Sequence, residues 1–166
     1  MIQINKQSFF WNYLSENQKD LIEESFELLN QAKERTGYDI SDYSYLVFPV
    51  AKAYEGFLKQ LFLDLGFINL TQYESDHFRI GKALNPNLEK KYRDQSVYDK
   101  IRYKCHAEDL AIELWICWKI GRNQLFHYFP HNLKAISLNE AETIITRIIS
   151  VMEIAVSQCG INKKDY

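Results

Sequence analysis

Apolar residues recur along this chain at intervals of three and four, the spacing that lines one face of an α-helix. Residues 17–35 carry Leu21, Ile22, Phe26 and Leu29 on one such face, and Gly37 is placed to stop the helix. Residues 43–65 hold a longer stripe: Val50, Ala53, Tyr54, Phe57, Leu58, Leu61, Phe62 and Leu65. Asp42 or Ser44 can cap its start and Gly66 its end, while Pro49 predicts a kink or a later start. Residues 106–120 repeat the pattern with Leu110, Ala111, Leu114, Trp115 and Trp118. That helix either ends at Gly121 or runs through it to about Phe129, before Pro130. Ser137 and Glu140 form a capping box. Behind it, Ala141, Ile144, Ile145, Ile148, Ile149, Met152, Ala155 and Val156 form an unbroken stripe. No segment reads clearly as a strand. Residues 67–104 read as irregular, with a turn at Leu84–Asn87 and a short helix from Asn87 to Arg93. The pattern therefore predicts an all-α bundle of four to six helices in a single domain, 1–166. Residues 1–37 form an N-terminal helical segment, and 67–104 an irregular basic insertion.

Composition supports this outline. The chain has 166 residues with only 6 Gly and 3 Pro, which argues against a loop-rich all-β fold and against disorder. The net charge of −2 excludes coating of nucleic acid by bulk positive charge. The distribution is uneven, however. Residues 79–104 hold eight basic residues (Arg79, Lys82, Lys90, Lys91, Arg93, Lys100, Arg102, Lys104) against Glu89, Asp94 and Asp99. That segment is +5 and the remainder −7. Tyr92, Tyr98 and Tyr103 lie among the cations, a composition shared by single-stranded nucleic-acid surfaces and by solvated basic loops. The N-terminus lacks an apolar core and cleavage site of the signal-peptide kind, and no apolar run is long enough to span a membrane. Cys105, Cys117 and Cys159 are odd in number and widely spaced. They are expected to be structural thiols in a reducing cytoplasm.

The chain's four histidines, His77, His106, His127 and His131, show no metal-ligand spacing. Pro130 separates His127 from His131, and there is no Gly-rich phosphate loop. Neither a metal nor a cofactor is expected. What remains is Arg122-Asn123-Gln-Leu-Phe-His127. On a helix, positions five apart are separated by a rise of ~7.5 Å and a rotation of ~140°. Arginine is a rigid fork matched to phosphate oxygens, and histidine is the side chain suited to proton transfer near neutral pH. Together they can cleave RNA without a metal. A base takes the ribose 2′-OH proton, the oxygen attacks phosphorus, an acid protonates the leaving 5′-oxygen, and arginine stabilises the phosphoryl charge. With this chain's arginines and histidines the bare spacing arises by chance in roughly one case in seven, so context matters. Upstream, Lys52 and Glu55 place a cation and a carboxylate three apart on the polar side of the second stripe.

These residues resemble the motif of the HEPN ribonucleases, small α-helical bundles marked by Arg-x4–6-His, often with Asn after the Arg. Arg122, Asn123 and His127 match it without a gap. The resemblance covers about residues 43–158. It is nearest to the catalytic domain of RNase LS-type toxins, which also has a helix with a cation-x-x-Glu pair and a long closing helix. Lys52 stands where that family usually has Arg. A second branch, the HEPN/MNT toxins, extends the motif to Arg-x4-His-x-Tyr; this chain has Phe129 there and Tyr128 one position early.

The resemblance implies a metal-independent endoribonuclease, the toxin of a toxin–antitoxin or anti-phage system. His127 would be the general acid/base, Arg122 the phosphate clamp, Glu55 a second proton-transfer or His-orienting group, Lys52 auxiliary, and Asn123 a backbone anchor or substrate contact. It also implies an RNA substrate, a homodimer with a composite active site and an antitoxin partner; the lack of a long apolar run implies no membrane association. Two alternatives stay open: a non-catalytic HEPN module binding nucleotide, RNA or a partner protein, and a plain helical adaptor in which the motif is accidental.

Overall fold

The computed structural model describes residues 4–37, 40–127, 130 and 134–161. Among these residues the chain is all-helical, with no strand. The order is α1 (Phe9–Tyr13), α2 (Glu16–Glu34), α3 (Ser44–Asp64), α4 (Leu70–Glu74), α5 (Ile80–Ala83), a 3₁₀ turn (Lys90–Gln95), α6 (Val97–Lys104), α7 (Glu108–Trp118), a π-helical turn (Lys119–Asn123) and α8 (Leu138–Gln158). The long helices fall where the apolar stripes predict them. The expected number of four to six is too low. The segment expected to be irregular is instead a chain of short helices, and α1 precedes the first stripe. Helices of four to eight residues complete about two turns at most, too few to repeat an apolar pattern, so periodicity does not register them.

The core is built around α3. Leu46, Val47, Val50, Ala53, Tyr54, Phe57, Leu58, Leu61 and Phe62 are fully buried. α2 packs along one side of α3 and α8 along another, and α7 in turn packs on α8. The α8 stripe is buried as its pattern predicts, through Ala141, Ile145, Ile148, Ile149, Met152, Ala155 and Val156. Its capping box is formed in full: the Ser137 hydroxyl accepts from the Glu140 N–H, and the Glu140 carboxylate accepts from the Ser137 N–H.

α3 runs from Ser44 straight through Pro49, without the later start. Proline removes a donor and crowds the preceding turn, and the repair comes from α2. The buried Ser25 hydroxyl accepts from the Val50 N–H at 3.0 Å and donates to the Leu46 carbonyl at 2.9 Å. It bridges a donor and acceptor four residues apart, the pair that a regular helix would join directly. At the start of α3, Tyr43 is the N-cap and its side chain makes no capping bond. Asp42 does that work from one residue earlier, accepting from the Ser44 N–H and hydroxyl and from the Ile136 N–H ahead of α8. At the far end Gly66, at φ +68°, terminates the helix in the left-handed region. Lys100 and Lys104 of α6 donate to the Phe67 and Leu65 carbonyls there. Cations suit the negative end of a helix, so part of the basic segment is structural.

The expectation of unpaired thiols needs correction. Cys105 and Cys159 form a disulfide with their Cα atoms 4.6 Å apart, leaving Cys117 as the free cysteine. Tertiary folding sets the C-terminal end of α6 beside that of α8. A separation of 54 residues carries no local signal of this pairing. The cysteines therefore no longer argue for a reducing compartment. No described helix is long and apolar enough to cross a membrane.

Candidate functional site

α3 exposes a second face. Tyr45, Phe48, Lys52 and Glu55 follow one another at helical spacing, opposite the buried stripe. Phe48 is 55% exposed and Tyr45 42%, which is unusual for aromatics on the central helix of a bundle. This face meets the segment that follows α7.

That segment is wound wide. After Trp118 the backbone passes into the π-helical turn, and the Gln124 N–H donates to the Lys119 carbonyl five residues back at 2.9 Å. Gly121 lies at its centre, buried against α8. A Cβ there would sit 2.6 Å from Ile148 Cδ1 and 3.3 Å from its Cγ1. Only glycine lets the turn come so close to α8. Neither expected ending holds: α7 stops at Trp118, before Gly121, and the chain passes through Gly121 as a π-turn that ends at Asn123. His127 lies beyond the turn residues 124–126, outside any helix, so the helical spacing expected between Arg122 and His127 does not apply. π-turns are rare and often occur at functional sites.

The result is a cavity of about 330 Å³ between α3 and this segment, lined by Phe48, Ala51, Lys52, Glu55, Arg122, Phe126 and His127. Four of the five predicted residues meet there, although Lys52 and Glu55 are far from the motif in sequence. Asn123 does not line it and is exposed at the end of the π-turn. Arg122 Nε lies 3.5 Å from Glu55 Oε2, with both side chains about 40% exposed (41% and 38%). At that exposure an ion pair contributes ~1 kcal/mol at most to stability, so its main effect is to orient the two groups. The Arg122 guanidinium also lies 5.3 Å from the centre of the Trp118 ring, a cation–π geometry. Phe48 and Phe126 meet edge to face at 5.4 Å and 76° on the cavity wall.

Trp118 has its own support. Its indole Nε1 would lie 2.7 Å from a Cβ at Gly81, so α5 can pack on the indole only through a glycine. A line of contacts thus runs from α5 through Trp118 to Arg122. The sequence reading missed Phe48, Phe126 and Trp118 as parts of the site. The available signal was on α3, where Tyr45 and Phe48 share the spacing of Lys52 and Glu55 instead of the buried stripe.

A larger cavity, about 1280 Å³, lies between α7 and α8 and collects none of the predicted residues. Its main polar feature is a bidentate Arg147–Glu113 ion pair at 2.8–3.1 Å. Cys117 lies below it, and burial pushes its thiol up to about 12, with Arg147 opposing and Glu113 adding to the shift. That thiol is inert at neutral pH, in keeping with a structural cysteine. Burial likewise raises the Tyr54 hydroxyl well above its ordinary range, and it donates to the Leu114 carbonyl at 2.9 Å.

Among the described residues no three His, Cys, Asp or Glu side chains gather as metal ligands. His131, which bears on the metal reading, and Tyr128 and Phe129, which bear on the Arg-x4-His-x-Tyr pattern, lie outside the described residues. The chain matches no family model, no curated protein and no solved structure.

Proposed function

We propose that this protein is a metal-independent endoribonuclease of the HEPN type. The observation that carries the reading is the convergence of Arg122, His127, Glu55 and Lys52 on one open cavity. A chance Arg-x4-His spacing does not require a carboxylate and a second cation from another helix to join it. The cavity brings together one proton-transfer group and two cations, the protein side of half such a site. His127 transfers the proton. Arg122, oriented by Glu55 and Trp118, binds the phosphoryl oxygens with Lys52 beside it. Phe48 and Phe126 offer aromatic faces and edges to unstacked bases. RNA is the substrate and DNA, lacking the 2′-OH, is not. Products end in 2′,3′-cyclic phosphate and 5′-OH.

The reaction uses a base and an acid, and one cavity supplies one imidazole. A homodimer with a composite cleft supplies the second through its two-fold axis. In this reading the protein is a toxin of a toxin–antitoxin or anti-phage system, held in check by an antitoxin protein. The test is cleavage of a generic mRNA in EDTA by wild type, His127→Ala and Arg122→Ala. Wild type should cleave, and both variants should lose about 10²-fold or more. Cleavage that persists in His127→Ala, or that requires Mg²⁺, overturns the mechanism. One observation favours the alternative of a non-catalytic HEPN module binding nucleotide, RNA or a partner: Arg122 is already engaged by Glu55 and Trp118. The same assay separates the two, since that module leaves RNA intact even as wild type.

A further inference from the structure

The basic segment does not act as one patch. Lys91, Arg93 and Arg102 are paired with Glu89, Asp99 and Glu108. Lys104 is committed to the end of α3 and Tyr98 is buried in the core. Among the described residues no carboxylate pairs with Arg79, Lys82 or Lys100, and these three line a single cavity of about 260 Å³ together with His77 and Phe78. One acid, Asp94, lies on the wall. Arg79 is held by a bond to the Asp76 carbonyl at 2.9 Å and Lys100 by one to the Phe67 carbonyl at 2.9 Å. Lys82 lies 4.1 Å from the centre of the Tyr92 ring. Each cation is positioned by a neutral partner, with further donors available.

We infer that this cavity is a second phosphate-binding subsite, one that takes the backbone of an RNA strand away from the scissile bond. The inference rests on the RNA reading of the Arg122–His127 cavity. Three cations around a space of one-nucleotide scale suit a phosphodiester and its sugar, and Phe78 offers an adjacent aromatic face. Position supports the assignment. The cavity lies at the C-terminal end of α3, roughly 20 Å along the helix from Lys52 at 1.5 Å per residue. A strand of several nucleotides can engage both. α5, which carries Lys82, also packs through Gly81 on the Trp118 that supports Arg122.

The test measures binding of a labelled oligouridylate of about twelve nucleotides to the His127→Ala protein across a salt series. Arg79→Glu/Lys82→Glu should weaken binding about ten-fold or more and flatten the log–log salt slope by about 1.4, the value for two lost contacts to a single strand. Lys90→Glu/Lys91→Glu, which reverses the same charge outside the cavity, should have a much smaller effect. Arg79→Gln/Lys82→Gln should fall between, which separates lost contacts from misfolding. Equal losses from both charge reversals would mean attraction by bulk charge and would overturn the subsite, as would unchanged binding in the Arg79/Lys82 variants. A wild type that binds through this cavity but never cleaves leaves the subsite standing and removes the ribonuclease reading. Cleavage with unchanged affinity in the Arg79/Lys82 variants does the reverse.

Discussion

Single residues decide whether the central helix can exist in this form. Ser25 reads in sequence as an unremarkable polar position on α2, yet it is fully buried and bridges the Leu46 carbonyl and the Val50 amide. Ser25→Ala leaves both backbone groups buried and unsatisfied. It should destabilise the protein by about 1–3 kcal/mol in chemical denaturation. An unchanged midpoint would mean that the turn at Pro49 satisfies itself. Glycines 81 and 121 matter for the opposite reason, since each marks a place where a side chain cannot fit. Gly81→Ala pushes a Cβ against the rigid Trp118 indole and so displaces Arg122. If the site works as proposed, a shift approaching 1 Å should lower kcat by up to about 10²-fold while far-UV circular dichroism stays native.

At the level of elements, capping and packing divide the work. α8 is rich in β-branched isoleucine, a mediocre helix former, so the burial of its stripe and its capping box must hold it. Glu140 accepts from the Ser137 amide and hydroxyl, and these bonds lower its pKa below the ordinary carboxylate value. A depressed folded-state pKa gives stability that is full above the unfolded value of about 4.3 and is lost as pH falls through the lower folded value. Thermal unfolding of wild type and Glu140→Gln should therefore differ by a constant amount above about pH 5, and the gap should close in more acid solution. A gap that widens with acid would contradict this assignment. The π-turn acts in the other sense. It holds no apolar stripe of its own, and its width places Arg122 over Trp118 and carries the chain on to His127.

The whole molecule is closed by a covalent link between the ends of α6 and α8. Bridging Cys105 to Cys159 ties a loop of 54 residues, and the chain-entropy model puts its contribution at about 4 kcal/mol. Reduction, or Cys159→Ser, should lower stability by up to that amount. Alkylation of the unreduced native protein should leave all three cysteines unlabelled, two bonded and Cys117 buried. Labelling of Cys105 and Cys159 without reductant would show the bridge absent.

Read alone, the sequence set the helical class, the positions of α2, α3, α7 and α8, the α8 cap and the glycine stop of α3, while the start of α3 and the end of α7 stayed open. Each feature it set depends on residues within a few positions of one another, which periodicity and capping rules read directly. It also singled out Arg122, His127, Lys52 and Glu55 as chemistry-bearing positions. Tertiary structure alone decided that these four share a cavity and that Asn123 stands outside it. It likewise decided which cations of the 79–104 segment are already partnered, that Ser25 mends α3, and that Cys105 meets Cys159. The physical reason is the same in each case. These contacts join parts of the chain that are remote in sequence, and their geometry is set by how α2, α5 and α8 pack on their neighbours.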